Sequence, residues 1–198
     1  MKNMSLLLMV VLLAASTLAP VSFAAEQRDF TDLPKTHWAY SAIMNMTSQG
    51  ILSGYPDGTF RPNRTISRAE FTAVVVRIMG LSGGGAVPFA DVESHWGRSG
   101  IAAAVGAGLI VPAEYGKTFE PNQPITRLEM AKMLARGLAA KEKAYAEYLE
   151  SFHDLYNGDL PFVDYRDFEQ NDVPYLAMAF GSGLMDGYPD VSFGQDRD

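Results

Sequence analysis

A pattern that recurs at a spacing of 59 residues constrains the fold of this chain more than any other feature of its sequence. The first copy runs from Phe30 to Phe60 and the second from Phe89 to Phe119. A closing motif, Ile-Ser/Thr-Arg-x-Glu, follows each copy and places Arg68 and Arg127 at the same spacing. Internal repetition of this kind predicts a stack of similar modules rather than one irregular domain.

A third, partial copy follows the first two. It begins at Phe162-Val163-Asp164 and continues to Phe193, with Asn171 at the position where the earlier copies have tryptophan. The sequence ends before a third Ser/Thr-Arg-x-Glu motif, so we expect an incomplete third lobe. The predicted division is a signal peptide at 1–24, repeat 1 at 28–82, repeat 2 at 87–137, a helical insertion at 138–158 and partial repeat 3 at 160–198.

Each complete copy is predicted to fold as helix, loop, helix. In repeat 1, Trp38, Ala42, Ile43 and Met46 recur at helical spacing, and Gly50 is well placed to end that helix. A single helical hairpin with one apolar stripe cannot bury that stripe alone, and stacking against its neighbours solves the problem. The sequence therefore predicts a mainly α fold in which helix-loop-helix repeats pack as a bundle.

The second helix of each copy carries a start signal. The spacing of a capping box occurs twice, in Ser67 with Glu70 and in Thr126 with Glu129. In a capping box the hydroxyl accepts from the amide of the glutamate, and the glutamate side chain accepts from the amide of the hydroxyl residue. The cap does not explain Arg68 or Arg127, because a cation in the first turn opposes the helix dipole. An anion held by the guanidinium and by free amides at the helix start would explain both arginines.

The N-terminus is typical of a secretory signal peptide. Lys2 precedes an apolar stretch from Leu6 to Ala15, and small residues at Ser22 and Ala24 suit a signal peptidase. Cleavage would lower the net charge from −7 to −8, because residues 1–24 hold one lysine and no acid. We expect an exported chain with no membrane span after cleavage.

Composition excludes several classes of function. The chain has no cysteine, which rules out disulfides, thiolate metal sites and cysteine catalysis. Its 23 acids against 16 bases argue against nucleic acid as a partner. His37 and His95 occupy the same position of the repeat, but His153 lies in the insertion and has no counterpart. We therefore predict no metal site and no cofactor.

The ordered motifs together resemble the S-layer homology (SLH) domain. They are Phe-x-Asp, His-Trp, Gly-Ile/Leu, Gly-Tyr-Pro-Asp-Gly-Thr-Phe-x-Pro-Asn and Ile-Ser/Thr-Arg-x-Glu, and they span nearly all of residues 28–193. The resemblance implies a pseudo-threefold helical bundle that anchors exported proteins to the bacterial cell wall or S-layer. The expected partner is an anionic, often pyruvylated, wall-linked secondary polysaccharide held in grooves between repeats, and other S-layer or envelope proteins are further expected partners.

The resemblance also assigns candidate ligand-binding residues, each with a structural alternative. The arginines are expected to contact the polymer. The aspartates either accept from sugar hydroxyls or cap turns, the tryptophans either contact a sugar ring or lie in the core, and the glycines end helices and leave room for sugar. These candidates are Arg68, Arg127, Asp32, Asp91, Trp38, Trp96, Gly50 and Gly108.

Two other classes of function compete with anchoring. A secreted carbohydrate-active hydrolase would use paired carboxylates such as Asp32 and Glu70. Against it, every notable carboxylate is duplicated with the repeat, whereas catalytic groups are normally asymmetric, so we predict that the chain is not an enzyme. The other alternative is a truncated envelope assembly module that acts through protein–protein contacts and completes its third lobe with a helix from another chain.

Overall fold

A computed structural model describes residues 29–194 of the chain, and the predicted signal peptide lies outside this range. The described residues form a mainly α structure without a named strand, as the repeat pattern predicts. No helix in this range is long and apolar enough to cross a membrane. The six α-helices are α1 Tyr40–Ser48, α2 Arg68–Met79, α3 Arg98–Gly106, α4 Arg127–Lys141, α5 Lys143–Glu150 and α6 Val173–Gly181.

Repeats 1 and 2 each contribute two helices, α1 with α2 and α3 with α4. Both second helices begin at the predicted capping boxes: the Ser67 hydroxyl accepts from the amide of Glu70, and the Thr126 hydroxyl accepts from that of Glu129. Each glutamate also accepts from the amide of its capping residue, at 2.9 Å in both repeats. The local sequence therefore fixes where the second helix starts.

The first helices start later than their sequence periodicity indicates. Trp38 was predicted to lie on the apolar stripe of the first helix, but α1 begins at Tyr40 and the Trp38 side chain is 92% exposed. This part of the prediction is wrong because the backbone turns through His37, whose amide donates to the carbonyl of Pro34, before the helix starts. Trp38 therefore stands outside the core.

Consecutive repeats are joined by the packing of a second helix onto the next repeat. Helix α2 packs on α3, and α4 packs on α6. The cores follow the same rule, because Ala69 and Val75 of α2 lie in one buried cluster with Phe89 and Phe119 of repeat 2, whereas Ala131 of α4 lies in the cluster of repeat 3. Each repeat thus buries the second helix of the repeat before it.

Repeat 3 contributes α6 but, within residues 29–194, no counterpart of α2 or α4. In the predicted insertion, α4 extends to Lys141 and α5 follows it, packing on α4 and α6. Lys143 and Glu147 form the expected i,i+4 pair on the surface of α5, at 3.1 Å.

Candidate functional site

A cavity with a volume of about 710 Å³ lies beside repeat 1. Helix α2 forms one wall with Glu70, Ala73, Val74 and Arg77, and Trp96 of repeat 2 also lines the space. Glu70 and Arg77 are seven residues apart, so this wall is about 10 Å long at 1.5 Å per helical residue. The remaining lining comes from the repeat 1 loop, residues 52–56, 60–62 and 64–66. We call this space the repeat 1 cavity.

Two arginines contact the ring of Tyr55 in the repeat 1 cavity. The Arg61 guanidinium carbon is 4.1 Å from the centre of the Tyr55 ring, and that of Arg64 is 5.0 Å from it. The Tyr55 hydroxyl donates to Glu70 at 2.7 Å, and Arg64 bonds to both Glu70 and the Tyr55 hydroxyl. Arg61 pairs with Asp57 at 2.7 Å. The cavity thus offers an aromatic ring that two cations contact.

Ionisation of Glu70 reflects two opposing effects. Burial disfavours the charged carboxylate, but hydrogen bonds from the Ser67 amide and the Tyr55 hydroxyl outweigh burial and lower the pKa of Glu70. Burial also raises the pKa of Tyr55, so its hydroxyl keeps its proton and donates to Glu70. The ion pair between Arg64 and Glu70 therefore persists at neutral pH.

Arg77 is the cavity arginine without an acidic partner. Its guanidinium donates to the carbonyl of Ile51 at 3.1 Å and forms no ion pair among residues 29–194. Its side chain is exposed at the end of the α2 wall. An anion that enters the repeat 1 cavity can therefore reach this guanidinium without first displacing a carboxylate.

The structure places Arg68 between repeats, where two carboxylates and a carbonyl hold it. Its guanidinium donates to Glu129 at 2.8 Å, to the Phe119 carbonyl at 3.0 Å and to Glu120 at 3.0 Å. It also lies 5.4 Å from the centre of the Tyr115 ring. These contacts give Arg68 a role in joining repeat 1 to repeat 2.

Arg127 makes the matching contact from repeat 2 to repeat 3. Its guanidinium donates to the Phe193 carbonyl at 2.9 Å and to the Asp186 carbonyl at 2.6 Å. The rings of Tyr188 and Phe193 lie 4.7 and 5.0 Å from it. The duplicated arginine thus has a structural explanation, and its predicted contact with a polymer stays a prediction.

The start of α2 is not an open anion site. The amide of Arg68 donates to the Gln123 carbonyl and that of Ala69 to the Pro121 carbonyl, while Glu70 donates to the cap. The sequence-based hypothesis of an anion held by free amides at this helix start is therefore corrected. The repeat 2 loop satisfies these amides instead.

The aspartates of the Phe-x-Asp motif each hold a loop of their own repeat. Asp32 accepts from the amides of Phe60 and Arg61, both at 2.7 Å. Asp91 accepts from Phe119 and Glu120 in the same way. In repeat 3, Asp164 accepts from Phe193 and Gly194 at 2.8 Å. This threefold pattern favours the turn-forming alternative for these carboxylates.

These contacts change the acidity of two of the aspartates. The Phe60 amide lowers the pKa of Asp32, with a further contribution from the Arg61 amide. For Asp91, burial opposes ionisation, but the amides of the repeat 2 loop outweigh it and lower the pKa. Both carboxylates therefore stay charged across the physiological range.

Trp38 and Trp96 are both exposed, Trp96 to 63%. Trp96 lines the repeat 1 cavity, whereas Trp38 does not. Among the sequence-predicted site residues, the structure thus brings Trp96 to this cavity and leaves Arg68, Arg127, Asp32, Asp91, Trp38, Gly50 and Gly108 outside its lining.

Gly50 and Gly108 each follow a first helix in the left-handed region, with φ of +72° and +75°. A Cβ at either position would meet nothing within 4 Å. Their backbone angles therefore require glycine more than crowding does.

The groove between repeats 2 and 3 is filled at the place that corresponds to the α2 wall. Arg136, the counterpart of Arg77, pairs with Glu114 at 2.7 Å and lies 4.6 Å from the Tyr175 ring. Lys132 pairs with the buried Asp172 at 2.5 Å. The grooves expected between repeats therefore differ from each other, because ion pairs and a tyrosine occupy this one.

Sequence comparison of the repeats missed most of the cavity residues. Arg61 and Arg64 have Glu120 and Gln123 at the matching positions of repeat 2. These two arginines are therefore not part of the repeated pattern. The sequence feature that indicates them is the pair of basic residues that repeat 1 has and repeat 2 lacks at these positions. No group of three potential metal ligands occurs among residues 29–194.

The chain is thus built from helical repeats. The second helix of one repeat packs on the next, and motif residues lie at each junction. The family model of the S-layer homology domain matches residues 29–72 and 88–131. Repeats 1 and 2 are therefore S-layer homology domains, as the resemblance in the sequence indicates.

Three relatives illustrate the range of proteins with this region. The chain is 33% identical over 149 residues to the S-layer protein EA1 of Bacillus anthracis, covering 74% of this chain and 17% of the relative. It is 38% identical over 117 residues to a cellulosome-anchoring protein of Acetivibrio thermocellus, covering 55% and 26%. It is 30% identical over 198 residues to an endoglucanase of Bacillus sp. (strain KSM-635), covering 96% and 20%.

The chain spans 17% to 26% of the length of these three relatives. The same region is therefore similar to parts of an S-layer protein, an anchoring protein and an endoglucanase, whose functions differ. The similarity therefore concerns the repeat region and not the endoglucanase activity of one relative.

Proposed function

We propose that the chain anchors itself non-covalently at the bacterial cell surface by binding an anionic, wall-linked secondary polysaccharide in the repeat 1 cavity. The observation that carries this proposal is the lining of the cavity: the exposed Trp96 and Arg77 share it with the ring of Tyr55 and its two arginines. Two relatives that share this region, a cellulosome-anchoring protein and an S-layer protein, also support a role in anchoring at the cell surface.

The lining suits an acidic sugar for two reasons. An exposed indole offers a flat apolar face to a sugar ring and an N–H to a hydroxyl. Arg77 offers a planar pair of donors to a carboxylate such as a pyruvate ketal. A charge-assisted hydrogen bond contributes about 1.5–3 kcal/mol, so a single cavity of this kind would bind with modest affinity.

The negative net charge does not prevent binding of an acidic polymer. At physiological ionic strength, charges more than about 8 Å away are largely screened, so the arginines beside the ligand dominate. Binding should accordingly weaken as salt is added, because the remaining electrostatic attraction is local but partly exposed to solvent.

Co-sedimentation of the full chain with purified wall sacculi tests this proposal. We expect the chain to pellet with intact sacculi and to stay in solution after the secondary polymer has been removed chemically. Pelleting that is unchanged by removal of the polymer would contradict it, as would a supernatant in which reducing sugar accumulates, since the latter indicates hydrolysis.

A pair of arginine variants tests the assignment of the cavity. Arg77→Ala should weaken pelleting about tenfold, because it removes the free cation of the cavity. Arg166→Ala makes the same change of charge at an exposed arginine of repeat 3 that lies outside the cavity lining and should leave binding unchanged. Equal loss in the two variants would indicate an effect of net charge alone.

A further inference from the structure

Two arginines at matching positions of repeats 1 and 2 are held by their own repeats in the same way. Arg77 donates to the carbonyl of Ile51 at 3.1 Å, and Arg136 donates to the carbonyl of Leu109 at 3.4 Å. Ile51 and Leu109 each follow the glycine that ends the first helix of the repeat. The backbone thus anchors both guanidinium groups at equivalent places, so the difference between them lies in their other neighbours.

The neighbour that differs is Glu114. Its two carboxylate oxygens accept from the two terminal nitrogens of Arg136, at 2.7 and 2.8 Å, which is the geometry of a bidentate pair. The Lys132 ammonium lies 3.5 Å from one of these oxygens. Because Lys132 and Arg136 are four residues apart on α4, they share one face of that helix and hold one carboxylate between them.

Glu114 departs from the pattern of the other repeats. It comes directly before Tyr115, whereas a glycine precedes the matching tyrosine in repeat 1, at Gly54, and in partial repeat 3, at Gly187. Gly54 and Arg77 both line the repeat 1 cavity. The residue at this position therefore decides whether the arginine of the repeat meets an internal carboxylate or faces an unfilled space.

Repeat 3 encloses the cations that hold Glu114. The ring of Tyr175 on α6 lies 4.6 Å from the Arg136 guanidinium, and the buried Asp172 pairs with Lys132 at 2.5 Å. The side chain of Arg136 is 11% exposed, whereas that of Glu114 is 30% exposed. The carboxylate thus closes a site whose cations have little contact with solvent, where a missing partner is costly.

The Glu114 side chain fills this site in its charged form. Burial opposes ionisation, but the hydrogen bonds and the charge of Arg136, together with Lys132, outweigh burial and lower the pKa of Glu114. At neutral pH the two cations therefore face a carboxylate.

We propose that Lys132 and Arg136 form a carboxylate-binding site at the junction of repeats 2 and 3, and that Glu114 is its internal ligand. An external carboxylate, such as that of an acidic sugar, binds there only by replacing the Glu114 side chain. The contacts of Glu114 carry this inference independently of the polysaccharide. Its consequence, that the polymer is directed to the repeat 1 cavity, rests on the proposed function.

Chemical rescue of Glu114→Gly tests the inference. The substitution gives repeat 2 the residue that the other repeats have, and it removes a side chain whose carbon atoms match those of propionate. In thermal unfolding of the full chain followed by circular dichroism, we expect the substitution to lower the Tm. Added sodium propionate should restore at least half of that loss, with a saturable dependence on its concentration, because it binds the folded chain alone.

Sodium chloride at equal ionic strength provides the first control, and it should restore less of the Tm than propionate does. The unaltered chain should respond equally to the two salts, because Glu114 already fills the site. Equal responses of Glu114→Gly to propionate and chloride would overturn the proposal.

Two variants show whether the response belongs to this site. The double variant Glu114→Gly with Arg136→Ala lacks the bidentate donor and should lose the specific response to propionate. Glu93→Gly removes an exposed glutamate that makes one contact, at 3.3 Å, with Arg98. It should respond equally to the two salts, and a propionate effect as large as that in Glu114→Gly would contradict a built site.

Should Glu114→Gly lose its folded circular dichroism spectrum, Glu114→Ala provides the second variant. Alanine keeps the Cβ, so the matching carboxylate becomes the shorter acetate, and we expect acetate to restore more of the Tm than propionate does. A folded Glu114→Ala variant that responds to acetate, propionate and chloride alike would overturn the proposal. These measurements use no wall polymer, so their failure is distinct from a failure of the chain to bind sacculi.

Discussion

At the scale of single residues, the arginine of the Ser/Thr-Arg-x-Glu motif links each repeat to the next. Arg68 is 18% exposed at its side chain and contacts two carboxylates, of which Glu129 is 15% exposed. A carboxylate with so little solvent is costly to leave without its partner. The motif therefore combines a helix cap, formed by its first and last residues, with a contact between repeats.

Arg68→Ala should consequently destabilise the fold, by about 2 kcal/mol, since it removes charge-assisted hydrogen bonds to Glu129, Glu120 and the Phe119 carbonyl. A role of Arg68 in ligand contact alone would leave the melt almost unchanged. Urea unfolding followed by circular dichroism measures the difference, with Arg166→Ala as the matched control at an exposed site. A midpoint that is the same for the two variants would contradict the contact between repeats.

Residue roles were only partly predictable from the sequence. The capping pairs were predictable because Ser67, Thr126 and their glutamates interact within one helical turn. The partners of Arg68 lie 51 to 61 residues away, and a local pattern does not specify them. Trp96 was predictable as a candidate, whereas Arg61 and Arg64 were not, because they depart from the repeat.

At the scale of secondary-structure elements, repeats 1 and 2 each contain a carboxylate that holds the loop before the second helix. Asp32 and Asp91 accept from two successive amides, and the second of each pair belongs to a residue with positive φ, Arg61 at 61° and Glu120 at 52°. Such a backbone angle is unfavourable for residues other than glycine. The aspartate compensates by binding the amide that this conformation exposes.

Stability should accordingly fall in acid. The pKa values of Asp32 and Asp91 are lowered in the folded chain, so their contribution is complete above the unfolded value of 3.8 and is lost as the pH falls through the folded values. Asp57, whose pKa is lowered to about 2 by the Thr59 hydroxyl and Arg61, acts in the same sense.

Urea midpoints measured from about pH 7 down to about pH 2 test this expectation. We expect a plateau above about pH 5 and a steady decline below about pH 4. Asp91→Asn should lower the plateau and make the decline shallower, because one of the loop-holding carboxylates no longer titrates. A constant midpoint down to the lowest pH would contradict the role of these aspartates.

At the scale of the whole molecule, the two junctions between repeats differ although the repeats that form them are similar. The junction of repeats 1 and 2 leaves Arg77 and Trp96 beside an open cavity. The junction of repeats 2 and 3 is filled by Glu114 with Arg136 and by Lys132 with Asp172. The resemblance implies grooves between repeats, but Glu114 and Asp172 supply carboxylates at positions where the other repeats have no acid.

This asymmetry predicts one binding site per chain. Isothermal titration of the full chain with a short, defined fragment of the secondary polymer should give a stoichiometry close to one. Charge removal at the filled junction, by Arg136→Ala, should leave that stoichiometry unchanged even though it destabilises the fold. Two equivalent sites per chain would show that the second junction also binds, and would contradict the assignment to the repeat 1 cavity.

The most direct test of the account uses the two tryptophans of the chain as separate reporters. Trp38→Phe leaves Trp96 as the single indole, at the cavity, and Trp96→Phe leaves Trp38, outside it. On titration with purified secondary polymer, we expect the emission of Trp96 to change and to saturate with the affinity of the unaltered chain, while that of Trp38 stays constant. A saturable change at Trp38 with none at Trp96 would contradict the claim that the repeat 1 cavity holds the polysaccharide.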